Sequence, residues 1–234
     1  MDRLYSRLMK VLLTLLLLIG SATCFAGTYT VIPVDDAKRL ELFLRDDSGA
    51  PLHRFEKLNA WLQARNKHLR FAMNAGMFEP DFSPVGLFVA GGAELSPLNL
   101  KTGGGNFYLK PNGVFVVTSA GPRIVESSKY SEKAADVLLA TQSGPLLVEQ
   151  GVIHRRLSAT SKYIRNGVGV TGGKTIFVIS NVPVSLHELA IYFRDELHCD
   201  DALYFDGNVS ALWAPDLGRS DATVDLGPII GIVD

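Results

Sequence analysis

Asp201-Ala202-Leu203-Tyr204-Phe205-Asp206-Gly207-Asn208-Val209-Ser210 runs from a short apolar stretch into an acid, a glycine and small polar residues. The apolar part reads as a buried strand, and the polar part as a tight loop at its mouth. A carboxylate at that point is held by a rigid element and still reaches solvent, where a chemistry-bearing acid belongs. Asp-Gly also starts ordinary turns, so Asp206 takes its meaning from the rest of the chain.

Upstream, Ser185-Leu186-His187-Glu188 matches a capping box and opens a helix to about Leu197, which feeds directly into that strand. Phe55 to Asn66 reads as a second helix, with Phe55, Leu58, Trp61 and Leu62 on one face. Elsewhere the pattern is β. Strands are expected at Tyr29–Val34, Arg39–Leu44, Leu69–Met73, Gly86–Ala90, Asn106–Lys110, Val114–Thr118, Val137–Ala140, Leu146–Glu149, Val168–Thr171 and Thr175–Ser180. Pro111-Asn112-Gly113 and Gln150-Gly151 read as hairpin turns, and Thr141 to Pro145 as a break between strands. No linker, repeat or low-complexity tract divides the chain. The expectation is one strand-rich α+β domain over residues 27–234, with a mixed sheet and about two main helices.

The N-terminus carries Arg3, Arg7 and Lys10, then the nearly unbroken apolar run Val11–Ile19 and small residues ending at Cys24-Phe25-Ala26. That is the layout of a secretory signal peptide over residues 1–26, and it implies a periplasmic or secreted protein. The run falls short of the about 20 residues of a membrane span, which leaves an uncleaved anchor as the alternative. Ser21 and Thr23 disfavour lipidation at Cys24. Losing the leader removes three basic residues and one acidic one, so a net charge of −1 becomes two units more negative. No basic field remains to hold nucleic acid. Cys199 is then the last cysteine, which excludes a disulfide framework and a cysteine metal cage. Asp200 and Asp201 beside it raise its pKa and make it a poor nucleophile.

Three polar constellations stand at strand ends: Asn74-Ala75-Gly76-Met77-Phe78, Arg165-Asn166-Gly167-Val168-Gly169 and Asp206-Gly207. Each has an ordinary reading, a turn or a surface arginine. Arg165 could also present its planar fork to a phosphate or carboxylate. Gln142-Ser143-Gly144-Pro145 lacks the first glycine of a serine-nucleophile elbow, since Thr141 stands there. Lys101-Thr102-Gly103-Gly104-Gly105-Asn106 is no phosphate loop, because it precedes a strand and lacks the Gly-Lys-Ser/Thr ending; it reads as a loop bordering the site. The five histidines form no metal-ligand pattern. No cofactor is called for, although scattered Asp and Asn oxygens are of the type that holds calcium.

Taken in order, Asn74–Phe78, Gln142–Pro145, Arg165–Gly169 and Leu203–Gly207, with the capped helix before the last, resemble the phosphodiester glycosidase family, and within it a shorter bacterial branch. The resemblance spans nearly all of the chain after the leader. It implies hydrolysis of a sugar-1-phosphodiester to free sugar and a phosphomonoester, with an envelope or polysaccharide glycan as substrate. It nominates Asp206, Arg165 and Asn74 as catalytic, and Gly76, Ser143, Asn166, Gly207 and Ser210 as substrate-binding. Arg165 would hold phosphate, Asn74 would orient a sugar hydroxyl, and Asp206 would be nucleophile, general base or general acid. Glu79, Asp81 and Asp225 are the candidates for a second carboxylate. Phe78, Phe82 and Trp213 are candidates for stacking on sugar. The alternative on the same fold is a non-catalytic envelope glycan-binding domain. One departure bears on the loop after Asp206: Asn208 and Val209 replace glycines, and a β-branched valine does not adopt positive φ.

Overall fold

A computed structural model describes residues 27–221 and 224–234; the expected leader lies outside them. In chain order the elements are β1 (Tyr29–Val34), β2 (Leu40–Phe43), α1 (Phe55–Gln63), β3 (Leu69–Asn74), β4 (Phe88–Ala90), β5 (Ala93–Ser96), β6 (Gly113–Thr118) and β7 (Gly121–Glu126). Next come β8 (Val137–Ser143), β9 (Leu146–Glu149), β10 (Val152–Ile153), β11 (Asn166–Thr171), β12 (Lys174–Ser180), α2 (Leu186–Ile191), β13 (Asp201–Tyr204), β14 (Leu212–Ala214), β15 (Arg219–Ser220) and β16 (Ile229–Val233).

These strands form a six-stranded sheet β1-β12-β11-β13-β9-β10 and two five-stranded sheets, β15-β14-β3-β16-β2 and β5-β4-β8-β6-β7. The α+β description holds, with β dominant. The expected mixed sheet is corrected: every strand pairing among the described residues is antiparallel. The crossover through α2 does link two strands of one direction, β12 and β13. However, β11 lies between them and pairs antiparallel with both. No helix among the described residues is long and apolar enough to cross a membrane.

The three sheets face one another around a shared core. Phe71 (β3), Phe115 (β6), Phe177 (β12) and Phe205 belong to it. Phe177 lies 5.1 Å from Phe71, 6.2 Å from Phe115 and 6.4 Å from Phe205, ring centre to ring centre. The helices cover outer faces. α1 buries Phe55, Leu58 and Leu62 against Phe43 and Leu69, and α2 buries Leu186, Leu189 and Ala190 against Val178, Ala202 and Tyr204. Along 202–205, Leu203 and Phe205 face the central core while Ala202 and Tyr204 face the α2 side. The segment is therefore buried on both faces, which is why it reads as a continuous apolar run rather than an alternation.

Three boundaries differ from expectation. Asn106–Lys110 is a loop, not a strand. Its Phe107 is buried, and the Asn112 side-chain amide donates to the Phe107 carbonyl at 2.9 Å, so that carbonyl bonds locally instead of joining a ladder. Pro111-Asn112-Gly113 accordingly connects that loop to β6 and is no hairpin turn. Thr141–Ser143 continues β8 instead of breaking it, paired with β6 from Gly113↔Ser143 to Phe115↔Thr141. α2 passes after Ile191 into a wide turn over Tyr192–Glu196, and its Ser185 capping box is present as expected.

Candidate active site

Strand ends from two sheets converge on Asp206. β3 ends at Asn74 in one sheet, while β11 begins at Asn166 in the other, beside β13. Asn74 is 2% exposed and Asn166 fully buried, so their amides must be satisfied internally. Asn166 Nδ2 donates to Asn74 Oδ1 at 2.9 Å and to the Asn74 carbonyl at 3.1 Å. Asn74 Nδ2 donates to the Asp206 carbonyl at 2.9 Å, and Asn74 Oδ1 accepts from Ala211 N at 2.9 Å. Ser210 Oγ lies 3.1 Å from Asn166 Oδ1. Asn74, Asn166, Ser210 and the Asp206 backbone thus form one network, which grips the Asp206–Ala211 loop from both ends.

Asp206 caps a 3-10 turn over Gly207–Val209, its Oδ1 accepting from Asn208 N at 3.1 Å. None of these turn residues has positive φ. The replacement of glycines by Asn208 and Val209 is therefore accommodated by a right-handed turn that valine tolerates. The carboxyl group is desolvated, and burial raises its pKa above the ordinary 3.8, partly offset by the Asn208 N–H.

Asp206 lines a cavity of about 340 Å³. Met77, Phe78 and Glu79, which follow β3, form one wall and the run Gly104–Tyr108 another; Val85, Tyr204 and Asn208 complete it. The glycine-rich loop borders the site as expected. Among the candidate second acids, Glu79 lines this cavity. Asp81 is engaged by Ser83, and Asp225 pairs with Arg54 at 2.7 Å. Phe78 lines the cavity and stacks on Phe82, ring centres 5.4 Å apart. Trp213 is elsewhere: its indole nitrogen donates to the Leu69 carbonyl at 3.1 Å, and its ring packs with the α1 core.

Arg165 does not reach the cavity wall. Only 3% exposed, it donates from Nε to the Val184 carbonyl, from Nη2 to the Ser161 carbonyl (both 2.9 Å) and from Nη1 to the Tyr204 hydroxyl at 2.8 Å. Ser143 is fully buried and its Oγ has no hydrogen-bond partner among the described residues. Gly76 permits close backbone approach, since a Cβ there would collide with the Gln142 carbonyl.

Two residues carry more of the site than their sequence context suggests. Gln142 accepts from Leu87 N and Asn99 N and donates to the Asn99 carbonyl and Ser127 Oγ, at 2.7–3.0 Å, so it anchors the segment beyond Glu79. Tyr204 reads as strand packing, yet its hydroxyl lies under the Asp206 turn. The sequence signal was its position two residues before Asp206, on the same side of the strand. A second cavity of about 450 Å³ lies at Lys110, Glu149 and His154–Arg156, and none of the nominated residues lines it.

Against known proteins, the family model described as phosphodiester glycosidase matches residues 67–224. The Escherichia coli K12 protein YigE, described as uncharacterized, is 30% identical over 198 residues, covering 83% of this chain and 76% of its own. Among solved structures, the catalytic domain of zebrafish N-acetylglucosamine-1-phosphodiester alpha-N-acetylglucosaminidase, auto-inhibited by its pro-peptide, superposes with a TM-score of 0.60. That match is 14% identical, covers 87% of this chain and 81% of the other, and speaks for the fold. The family match takes in Asn74, Arg165 and Asp206 together, on a fold that sets Asp206 at the cavity, ties Asn74 to its backbone carbonyl and places Arg165 behind the cavity wall. The chain belongs to the phosphodiester glycosidase family.

Proposed function

We propose that this protein is a hydrolase that cleaves a sugar-1-phosphodiester in envelope or polysaccharide material into free sugar and a phosphomonoester. The leader expected from the sequence of residues 1–26 supports placing it in the periplasm or outside the cell. The observation that carries the reading is the desolvated Asp206 carboxyl, presented to a sugar-sized cavity by a fully satisfied asparagine network.

The expected chemistry follows from charge. Breaking the bond from C1 to the phosphoryl oxygen leaves the electron pair on phosphate, which is a good leaving group without protonation. The demanding part is delivery of water to an oxocarbenium-like carbon. A carboxylate of raised pKa is the stronger base, so Asp206 takes the proton of the attacking water and Glu79 adds negative charge at the cavity wall. Phe78 offers an apolar face for the sugar ring. The substrate in the zebrafish enzyme's name makes N-acetylglucosamine-1-phosphodiesters the first to try.

The test is product analysis by ¹H and ³¹P NMR of purified protein with a panel of such diesters, beside Asp206→Asn. Free sugar plus phosphomonoester from wild type alone supports the reading. Saturable glycan binding with no turnover by either protein would replace it with the glycan-binding alternative.

A further inference from the structure

The Arg165 guanidinium is buried with no carboxylate against it: it belongs to no ion pair among the described residues. A buried, unneutralised cation is costly unless an anion completes it. Two of its donor directions are fixed by backbone carbonyls of Val184 and Ser161, and a third is directed to the Tyr204 hydroxyl.

Tyr204 is 1% exposed and lines the Asp206 cavity. Its oxygen accepts from Arg165 Nη1, and the Gly207 backbone packs closely against the same atom. The hydroxyl donates to no described residue, so among the described residues its hydrogen has no acceptor. Burial pushes the phenol pKa up against the opposing pull of Arg165, and the group stays protonated at neutral pH. Gly207 is also sterically required, since a Cβ there would collide with this hydroxyl. A donor polarised by a buried cation at the floor of the cavity suits an oxyanion.

We propose that Tyr204 is a catalytic residue that donates its hydroxyl hydrogen bond to a phosphoryl oxygen of the substrate, and that Arg165 is a positioning residue acting through it. This rests on the proposed phosphodiester hydrolysis. As the C1–O bond breaks, its electron pair settles on the phosphoryl oxygen, and the Tyr204 O–H hydrogen-bonds the growing charge without transferring its proton. The water proton goes to Asp206.

The test compares wild type, Tyr204→Phe, Arg165→Gln and the double variant, using an N-acetylglucosamine-1-phosphodiester for turnover and inorganic phosphate for binding by ³¹P NMR. Tyr204→Phe keeps the ring packing. It is expected to lower kcat about 10²–10³-fold with KM changed far less, to keep the acid limb of the pH profile, and to weaken phosphate binding. Arg165→Gln on the Tyr204→Phe background is expected to add little further loss. Wild-type kcat in Tyr204→Phe overturns the proposal, as does a fully additive loss in the double variant, which would put Arg165 itself on the phosphate. If Arg165→Gln does not fold, Tyr204→Phe alone decides. If wild type turns over none of the diesters, equal phosphate affinity in wild type and Tyr204→Phe overturns it. Retained turnover in Asp206→Asn would instead overturn Asp206 as the base, and glycan binding without turnover by wild type would overturn the underlying reaction, so the failures are distinguishable.

Discussion

Asn74 and Asn166 face each other across the seam between two sheets, each using its amide to satisfy the other or the Asp206 loop. Neither can be replaced by an apolar residue of similar size without baring buried polar groups. Asn74→Ala strands Ala211 N–H and the Asp206 carbonyl together. It is expected to cost about 1–3 kcal/mol in urea unfolding and to lower turnover through misplacement of Asp206. An unchanged unfolding midpoint would show that the network does not hold the loop.

The Asp206 carboxyl gives two linked predictions of opposite benefit. Its folded-state pKa lies above 3.8 because burial disfavours the charge. For an acid raised on folding, the folded state binds more protons, so stability falls as pH rises from 3.8 through the raised value, and the penalty is fully present above it. Asp206→Asn is therefore expected to melt higher than wild type at pH 7, with the gap closing below pH 3.8, and to lose about 10²–10⁴-fold in kcat. The acid limb of kcat/KM in wild type should lie above the ordinary carboxylate value. A limb at or below 3.8, or a lower melting temperature for the variant at pH 7, contradicts the assignment.

The ends of the buried strands were legible because a polar residue there interrupts an apolar run: Asn74 after Met73 and Asp206 after Phe205 announce themselves. Ser185-x-x-Glu188 was legible for a related reason, since its hydrogen bonds are local. What pattern could not give was non-local satisfaction. Arg165 looks free until the Val184 and Ser161 carbonyls are seen to close on it. Thr141-Gln142-Ser143 has turn composition, yet the Gln142 amide is satisfied by residues 43 and 55 positions away, and the strand runs on. Asn106–Lys110 alternates like a strand, but a side chain five residues from Phe107 captures its carbonyl. The parallel relation of β12 and β13 was implicit in the crossover, while the insertion of β11 between them was not.

The cap of α2 supports the strand that carries Tyr204. Ser185 Oγ accepts from Glu188 N at 3.1 Å, and the Glu188 carboxylate accepts from Ser185 N at 2.8 Å and from Lys162 at 2.9 Å. Ser185→Ala is expected to cost about 1 kcal/mol. The Ser185 N–H first, then Lys162, pull Glu188 down to about 2. A depressed acid contributes stability that is present above its ordinary 4.5 and lost as pH falls towards 2. Glu188→Gln should therefore flatten the acid side of the stability curve in that window, and a superimposable curve would remove the carboxylate from the account.

Cys199 lies beneath α2 in the same packing layer, with Phe193 and Ala202. Burial first, and then Asp200 and Asp201, push its thiol up to about 12. Thiolate is the reactive form, and a thiol of ordinary pKa near 8.5 is ~10³ times more ionised at neutral pH. Alkylation by iodoacetamide at pH 8 is expected only through unfolded or locally opened molecules, so its rate should rise with urea in step with the unfolding transition. A Cβ at Gly169 would come within 2.6 Å of the Cys199 sulfur, so Gly169→Ala should loosen this layer and speed alkylation below the transition. Rapid labelling of the native wild-type protein would mean that the layer under α2 opens independently of the rest. Tyr204, which packs in that layer, would then lack the rigid seat its hydroxyl needs.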